Sequence, residues 1–120
     1  MKEIPFETVS TASYCFQKTR KEVVIPSVET LQRVWADAFE HKPLPKVDFE
    51  KQCLIGVFYG ERTVTGYGVA IYSITDEGDR AVVRVKLTRP ETLGEHRPSR
   101  PYHIIRCQCI PKPVVFKYLS

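Results

Sequence analysis

The sequence predicts an α+β fold that is mainly β: an antiparallel sheet of about six or seven strands closing into a sandwich or barrel, with one helix over about residues 27–41. Three observations predict it. Apolar residues recur at three- and four-residue spacing in only one stretch, 28–39. After residue 53, apolar runs of strand length follow one another, separated by turns rich in Gly, Pro and Asp. The runs are mostly neighbours in sequence, as antiparallel strands are, and a helix against one side or end of the sheet buries the most surface. At 120 residues the chain suits one domain, 1–120, large enough to bury roughly two-thirds of its unfolded surface.

Residues 4–9 and 14–17 are short strand-like pieces separated by Ser10-Thr11-Ala12-Ser13. Glu22-Val23-Val24-Ile25 is a β-branched run closed by Pro26, again a strand. Ser27 then starts the helix, its hydroxyl placed to cap the free N–H groups of the first turn, with Thr30 at the capping-box position. Glu29 favours the positive end of the helix dipole. Val28, Leu31, Val34, Trp35, Ala38 and Phe39 form the apolar stripe, and Trp35 reads as a core anchor. His41 and Lys42 suit the C-terminal end, and Pro43 stops the helix. In the proline-pinned connection that follows, Asp48 is placed to make an Asx turn.

Residues 53–59 are apolar on both faces, as a central strand is. A glycine-bounded loop, Gly60 to Gly66, reads as a hairpin connection. Residues 67–75 form the next strand, with Ala70, Tyr72 and Ile74 on one face and Val69 and Ile71 on the other. Asp76-Glu77-Gly78-Asp79 is a tight turn, with Gly78 free to take positive φ. Ala81, Val83, Val85 and Leu87 then alternate with Val82, Arg84, Lys86 and Thr88, completing a hairpin. Residues 89–101 are a long polar loop, of a length often tied to function. Strands over 102–110 and 114–118 end the chain.

Charge and cysteines narrow the classes of function. Residues 1–79 carry a net −3 and residues 80–120 a net +7. The basic third suits an anionic partner, but no nucleic-acid motif accompanies it, so basic strand faces beside the acids of the first part are the simpler account. Cys15, Cys53, Cys107 and Cys109 allow three pairings, and no Cys-x-x-Cys is present. Cys107 and Cys109, two apart on a strand, share a face and suit either buried thiols or a soft metal; buried thiols are the reading adopted. No run approaches the ~18 apolar residues of a membrane span. The first residues lack a signal-peptide core, so the chain as it stands reads as cytoplasmic, or as exported if a leader has been removed.

Catalytic motifs do not emerge. Glycines 60, 66 and 68 suggest a phosphate loop, but no Gly-Lys-Ser/Thr follows and a strand comes next. His41, His96 and His103 show no metal-ligand spacing, and no Gly-x-Ser-x-Gly occurs. The expectation is a non-enzymatic protein with no catalytic residues, metal or cofactor.

Several short segments follow one another along the chain: Pro45-Lys46-Val47-Asp48-Phe49, the apolar strand 53–59, Gly60 and Gly66-Tyr67, Val69-Ala70-Ile71, Asp76-Glu77-Gly78-Asp79, Val82-Val83-Arg84-Val85-Lys86, and Ser99-Arg100-Pro101-Tyr102-His103-Ile104-Ile105. In this order, from about residue 43 to 118, the chain resembles the PrcB C-terminal domain family, named after a subunit of a secreted bacterial protease complex. The helix with Trp35 and the strand before it fit the wider family pattern. One departure is Thr63-Val64-Thr65-Gly66-Tyr67, where the family commonly has Pro-Thr-Gly-Gly-Tyr. Thr65-Gly66-Tyr67 and Arg100-Pro101-Tyr102 are also similar to the loop motifs of chagasin-type cysteine-protease inhibitors. The family resemblance implies a non-enzymatic accessory domain near proteases or at the cell envelope.

Two functional readings follow. The first is a protein-interaction module whose partner, a protease among the candidates, meets Arg62, Thr65, Gly66, Tyr67, Arg100, Pro101, Tyr102 and His103, provided both loops lie at one end of the sheet. The second is a binder of an anionic ligand or nucleic acid through Arg84, Lys86, Arg89, Arg97, Arg100 and Arg106.

Overall fold

The computed structural model describes residues 2–92 and 94–119. Among them are β1 (Lys2–Glu3), β2 (Phe6–Ala12), β3 (Lys21–Ile25), α1 (Val28–Ala38), β4 (Gln52–Phe58), β5 (Gly68–Asp76), β6 (Ala81–Thr88), β7 (Tyr102–Gln108) and β8 (Val114–Leu119). The strands form two four-stranded sheets, β1-β5-β6-β8 and β2-β7-β4-β3, each with its own edges, so the molecule is a sandwich and not a closed barrel. Neighbours pair antiparallel except β6 and β8. Between those two the chain leaves for the second sheet as β7 and returns, the crossover that a parallel pair requires.

Two cores explain why β4 is apolar on both faces. Ile55 and Val57 face the first sheet, meeting Ile71 and Ile74 of β5, Val83 and Val85 of β6, and Ile105 of β7. Leu54 and Phe58 face the other way, with Ile104 and Ile25, against Leu31, Val34, Trp35 and Ala38 of the helix. Each fully buried side chain of this size contributes about 1.5–3 kcal/mol. Gly56 lies on the helix side, where a Cβ would already touch Ile104, Phe58 and Val23 at 3.4 Å.

The helix starts as its cap predicts, with the Thr30 N–H donating to Ser27 Oγ. It ends at Ala38, earlier than the expected 41. Phe39 turns extended while its N–H still donates to the Trp35 carbonyl, and its ring packs on Trp35 and Tyr102. Trp35 Nε1–H donates to the Pro43 carbonyl and so holds the descending chain. Val28 stands exposed at the start of the stripe.

Four other expectations change. The strand does not break after residue 9: β2 runs through Ser10 and Thr11 to Ala12, the two hydroxyls bonding the Tyr102 hydroxyl and carbonyl of β7, and residues 14–17 belong to a loop. A register shift between Ile71 and Ser73 moves Tyr72 out of the alternation, so Ile74 joins Val69 and Ile71 inside. The loop between β4 and β5 is not a hairpin, because β4 and β5 lie in different sheets; it crosses from one to the other. β7 ends at Gln108, so Cys109 lies beyond it, exposed, and shares no strand face with the buried Cys107. The Asp76–Asp79 turn forms as expected, with Gly78 at φ 94° and its N–H on Asp76 Oδ1.

Candidate interaction surface

Because the crossover loop 59–67 leaves β4 where β7 begins, it meets the long loop that feeds β7. Arg62 and Ser99 form a two-way backbone bridge, with N···O distances of 2.8 and 2.9 Å. The Ser99 hydroxyl donates to the Val64 carbonyl at 2.9 Å. Thr65 N–H donates to the Glu95 carbonyl, and Glu95 N–H donates back to Thr65 Oγ1. Glycine permits this approach: a Cβ on Gly94 would sit 2.2 Å from the Thr65 carbonyl oxygen, and Gly66, at φ 102°, would meet Pro90.

A third loop, residues 13–20, joins the same end. Glu61 N–H donates to the Lys18 carbonyl, and Arg100 N–H to the Ser13 carbonyl. The Arg100 side chain ties the three together. It is 8% exposed; its Nε–H donates to Glu61 Oε1 at 2.7 Å, and its Nη1 reaches the Cys15 carbonyl. The Tyr14 ring lies over the guanidinium, 5.0 Å from its carbon. Burial of a guanidinium is tolerable here because carboxylate, carbonyl and ring all face it.

What this end shows to solvent is aromatic and cationic. Tyr14 and Phe16, 45% and 48% exposed, meet edge to face. Beyond Glu61, the side chains of Tyr118, Arg20, Arg62 and Tyr67 line up around the buried Tyr59 ring, with ring-to-guanidinium distances from 4.6 to 5.9 Å. Arg62 also reaches the Tyr67 hydroxyl, and the Tyr118 hydroxyl donates to Glu22 at 2.6 Å, bridging the sheet edges. Among the described residues, neither Arg20 nor Arg62 has an ion-pair partner.

The expected site residues divide. Arg62 and Gly66 are exposed and Thr65 and Tyr67 half-buried in the crossover loop, and Arg100 lies beside them. Pro101, Tyr102 and His103 are interior. The Tyr102 ring lies between Phe39 and Phe58, its hydroxyl on Ser10 Oγ at 2.6 Å. His103 Nδ1 accepts from Ile71 N–H at 2.9 Å, which requires an unprotonated Nδ1, so Nε2–H donates to Thr8 Oγ1 at 2.8 Å. Burial holds the His103 pKa below its usual value. With Tyr102 in the core, the Arg100-Pro101-Tyr102 turn has no aromatic tip to offer.

Tyr14, Phe16, Arg20 and Tyr118 are additions that the sequence reading missed. The signal was present at Tyr14 and Phe16: two aromatics two apart, around a small Cys15 that alone turns inward. The basic third is largely paired. Arg84 meets Glu77, Arg106 meets Glu7, Arg100 meets Glu61 and Arg97 meets Glu95. No helix among the described residues is long and apolar enough to cross a membrane.

No curated protein and no solved structure matches the chain. The family match is narrower than the 43–118 of the motif resemblance, leaving out the Pro45–Phe49 motif and β8. Residues 53–108, from the second residue of β4 to the end of β7, match the family described as PrcB C-terminal, the family that the sequence motifs resemble.

Proposed function

We propose that this protein is a non-enzymatic interaction domain, an accessory to a protease or cell-envelope complex, that meets its protein partner with the three-loop end. One observation carries the reading: loops 13–20, 59–67 and 89–101 are hydrogen-bonded into one surface whose outward groups are Tyr14, Phe16, Arg20, Arg62 and Tyr67. Tyrosine and arginine dominate binding hot spots because they bring large area and directional donors at modest entropy cost. Here the loops are already ordered by their own hydrogen bonds, so binding immobilises little more. Two cations with no ion-pair partner among the described residues, resting on tyrosine faces, suit a partner with acidic side chains at its contact surface. Part of the histidine inventory supports a non-catalytic role. His103 commits both ring nitrogens to the fold, and His41 stands exposed beside Glu40. Protease association rests on the family alone.

The test is an affinity capture from lysate and envelope fractions of the source organism. It compares wild type with Arg62→Glu and Phe16→Ser proteins, each shown to be folded by circular dichroism. A protein partner recovered by wild type and lost by both variants supports the reading. Identical partners from all three overturn the site. Nucleic acid in the eluate, with affinity falling steeply with salt, would instead favour the basic face around Lys86 and Arg89.

A further inference from the structure

Cys53 and Cys107 are register partners on β4 and β7, the two central strands of the second sheet. Their Sγ atoms lie 3.8 Å apart, inside the core between the sheets. The ladder fixes their backbone spacing. Cys109 N–H donates to the Lys51 carbonyl and Tyr59 N–H to the Pro101 carbonyl, so the hydrogen-bonded positions of this antiparallel pair include 53 and 107. Residues opposed in that way have Cα atoms about 5.5 Å apart, within the range that a disulfide spans. Closing the bond takes side-chain rotation and a small approach of the two strands, since the Cβ atoms of such a pair stand about 5 Å apart, wider than the ~3.8 Å usual in a disulfide.

One thiol of the pair is also within reach of a small reagent. Cys107 lines a surface cleft of about 290 Å³ together with Phe6, Gln52 and Arg106. The other two cysteines stand apart in role: Cys15 lies in the helix-side core, and Cys109 is exposed with its Sγ near the Phe49 carbonyl.

We propose that Cys53 and Cys107 are an oxidation site of this protein, closing into a cross-strand disulfide when a small hydroperoxide enters the cleft and reopening with a thiol reductant. One thiol of the pair, as its thiolate, attacks one oxygen of hydrogen peroxide. The O–O bond breaks, leaving that sulfur as a sulfenic acid, and the departing hydroxide takes up a proton to become water. The other sulfur then attacks the sulfenic sulfur and displaces the second oxygen, which leaves as water with the second thiol's proton. The two thiols lose two electrons and the peroxide gains them. Two equivalents of a reducing thiol reverse the step by exchange. The hydrogen bond between the two thiols, in which either sulfur can donate, helps the first of them to ionise.

The test uses a Cys15→Ala/Cys109→Ser protein treated with hydrogen peroxide, alongside wild type, followed by intact mass, a non-reducing peptide map and thermal denaturation. The expected result is the loss of two hydrogens, a peptide pair joined through Cys53 and Cys107, and a Tm raised by about 10 °C. Dithiothreitol should restore the starting mass and Tm. If the double variant fails to fold, the map on wild type decides alone. Unchanged mass, sulfinic acid without a crosslink, or a wild-type bond from Cys109 in place of the Cys53–Cys107 bond would each overturn the proposal.

Discussion

Replacing His103 by leucine should remove about 2 kcal/mol of stability near neutral pH and abolish a pH dependence that wild type shows on the acid side. The imidazole joins the two sheets at a defined point. Its Nδ1 accepts the Ile71 N–H of β5, beside the register shift at Tyr72, and its Nε2–H donates to Thr8 of β2. Leucine of similar size fills the space but strands the Ile71 N–H, and Ile71 is only 3% exposed. A buried unpaired donor costs about 1–3 kcal/mol. Thr8 is exposed and recovers its bond from water, so it adds little. Protonation does similar damage, because a protonated Nδ1 cannot accept. Burial lowers the folded-state pKa beneath its unfolded value, so below about pH 6.5 the unfolded chain binds more protons than the native one. The contribution of His103 is therefore complete above about pH 6.5, falls as pH drops through the folded-state pKa, and is flat below it. Urea unfolding of both proteins at pH 7.5 and at steps down to pH 4.5 measures this, and the difference between the curves cancels carboxylates common to both. His103→Asn, whose Oδ1 stands near the lost Nδ1, should recover part of the stability without the pH dependence. A His103→Leu protein as stable as wild type at pH 7.5, or two pH curves that stay parallel, would refute the assignment of the tautomer and of the bridge.

Three further outcomes follow from the same geometry. Tyr102→Phe should cost about 1 kcal/mol, the bond to Ser10, whereas Tyr102→Ala should cost about 3–5 kcal/mol by opening a cavity between Phe39 and Phe58; thermal denaturation separates them. Arg100→Ala should leave the two cores folded but release the loop anchorage, seen as faster amide exchange in residues 13–20 and 61–62 and unchanged exchange in β4. Gly94→Ala places a methyl 2.2 Å from the Thr65 carbonyl oxygen, so limited proteolysis should cut within 89–98 sooner while Trp35 fluorescence stays native.

The parts of the fold that were legible are those fixed by local chemistry. Ser27 caps a helix whether or not the sheet is present, Gly78 takes the turn that the Asp76–Asp79 sequence asks for, and Val83 and Val85 alternate with Arg84 and Lys86 on a strand with one wet side. What was not legible depends on pairing across the chain. Period-two reading puts Ile74 on the face opposite Val69 and Ile71, and only the register against β6 shows the residue at Tyr72 that reverses it. Likewise the glycine-bounded loop after β4 looks like a hairpin turn until β5 is seen in the other sheet. Ser10 and Thr11 read as a break because their hydroxyls compete with the backbone for hydrogen bonds; in place, both hydroxyls bond Tyr102 and strengthen the strand.

The site shows the same division more sharply, since one short motif serves two ends. In Arg100-Pro101-Tyr102-His103 the chain passes from loop to central strand, and each step changes the job of the side chain. Arg100 gathers three loops, Tyr102 fills the helix-side core and His103 bonds across the inter-sheet core. The motif at this strand start thus reports mainly on how the loop is anchored, and the groups that reach solvent come from the segments it anchors. On the proposed function, the residues most able to set partner choice are Tyr14, Phe16, Arg20 and Arg62, none of which belongs to Pro101-Tyr102-His103. Substitutions at Tyr102 and His103 should abolish binding only in proportion to lost folding, whereas those at Arg62 and Phe16 should change binding at constant stability. That contrast separates an anchoring motif from a contact surface in a way that neither set of variants does alone.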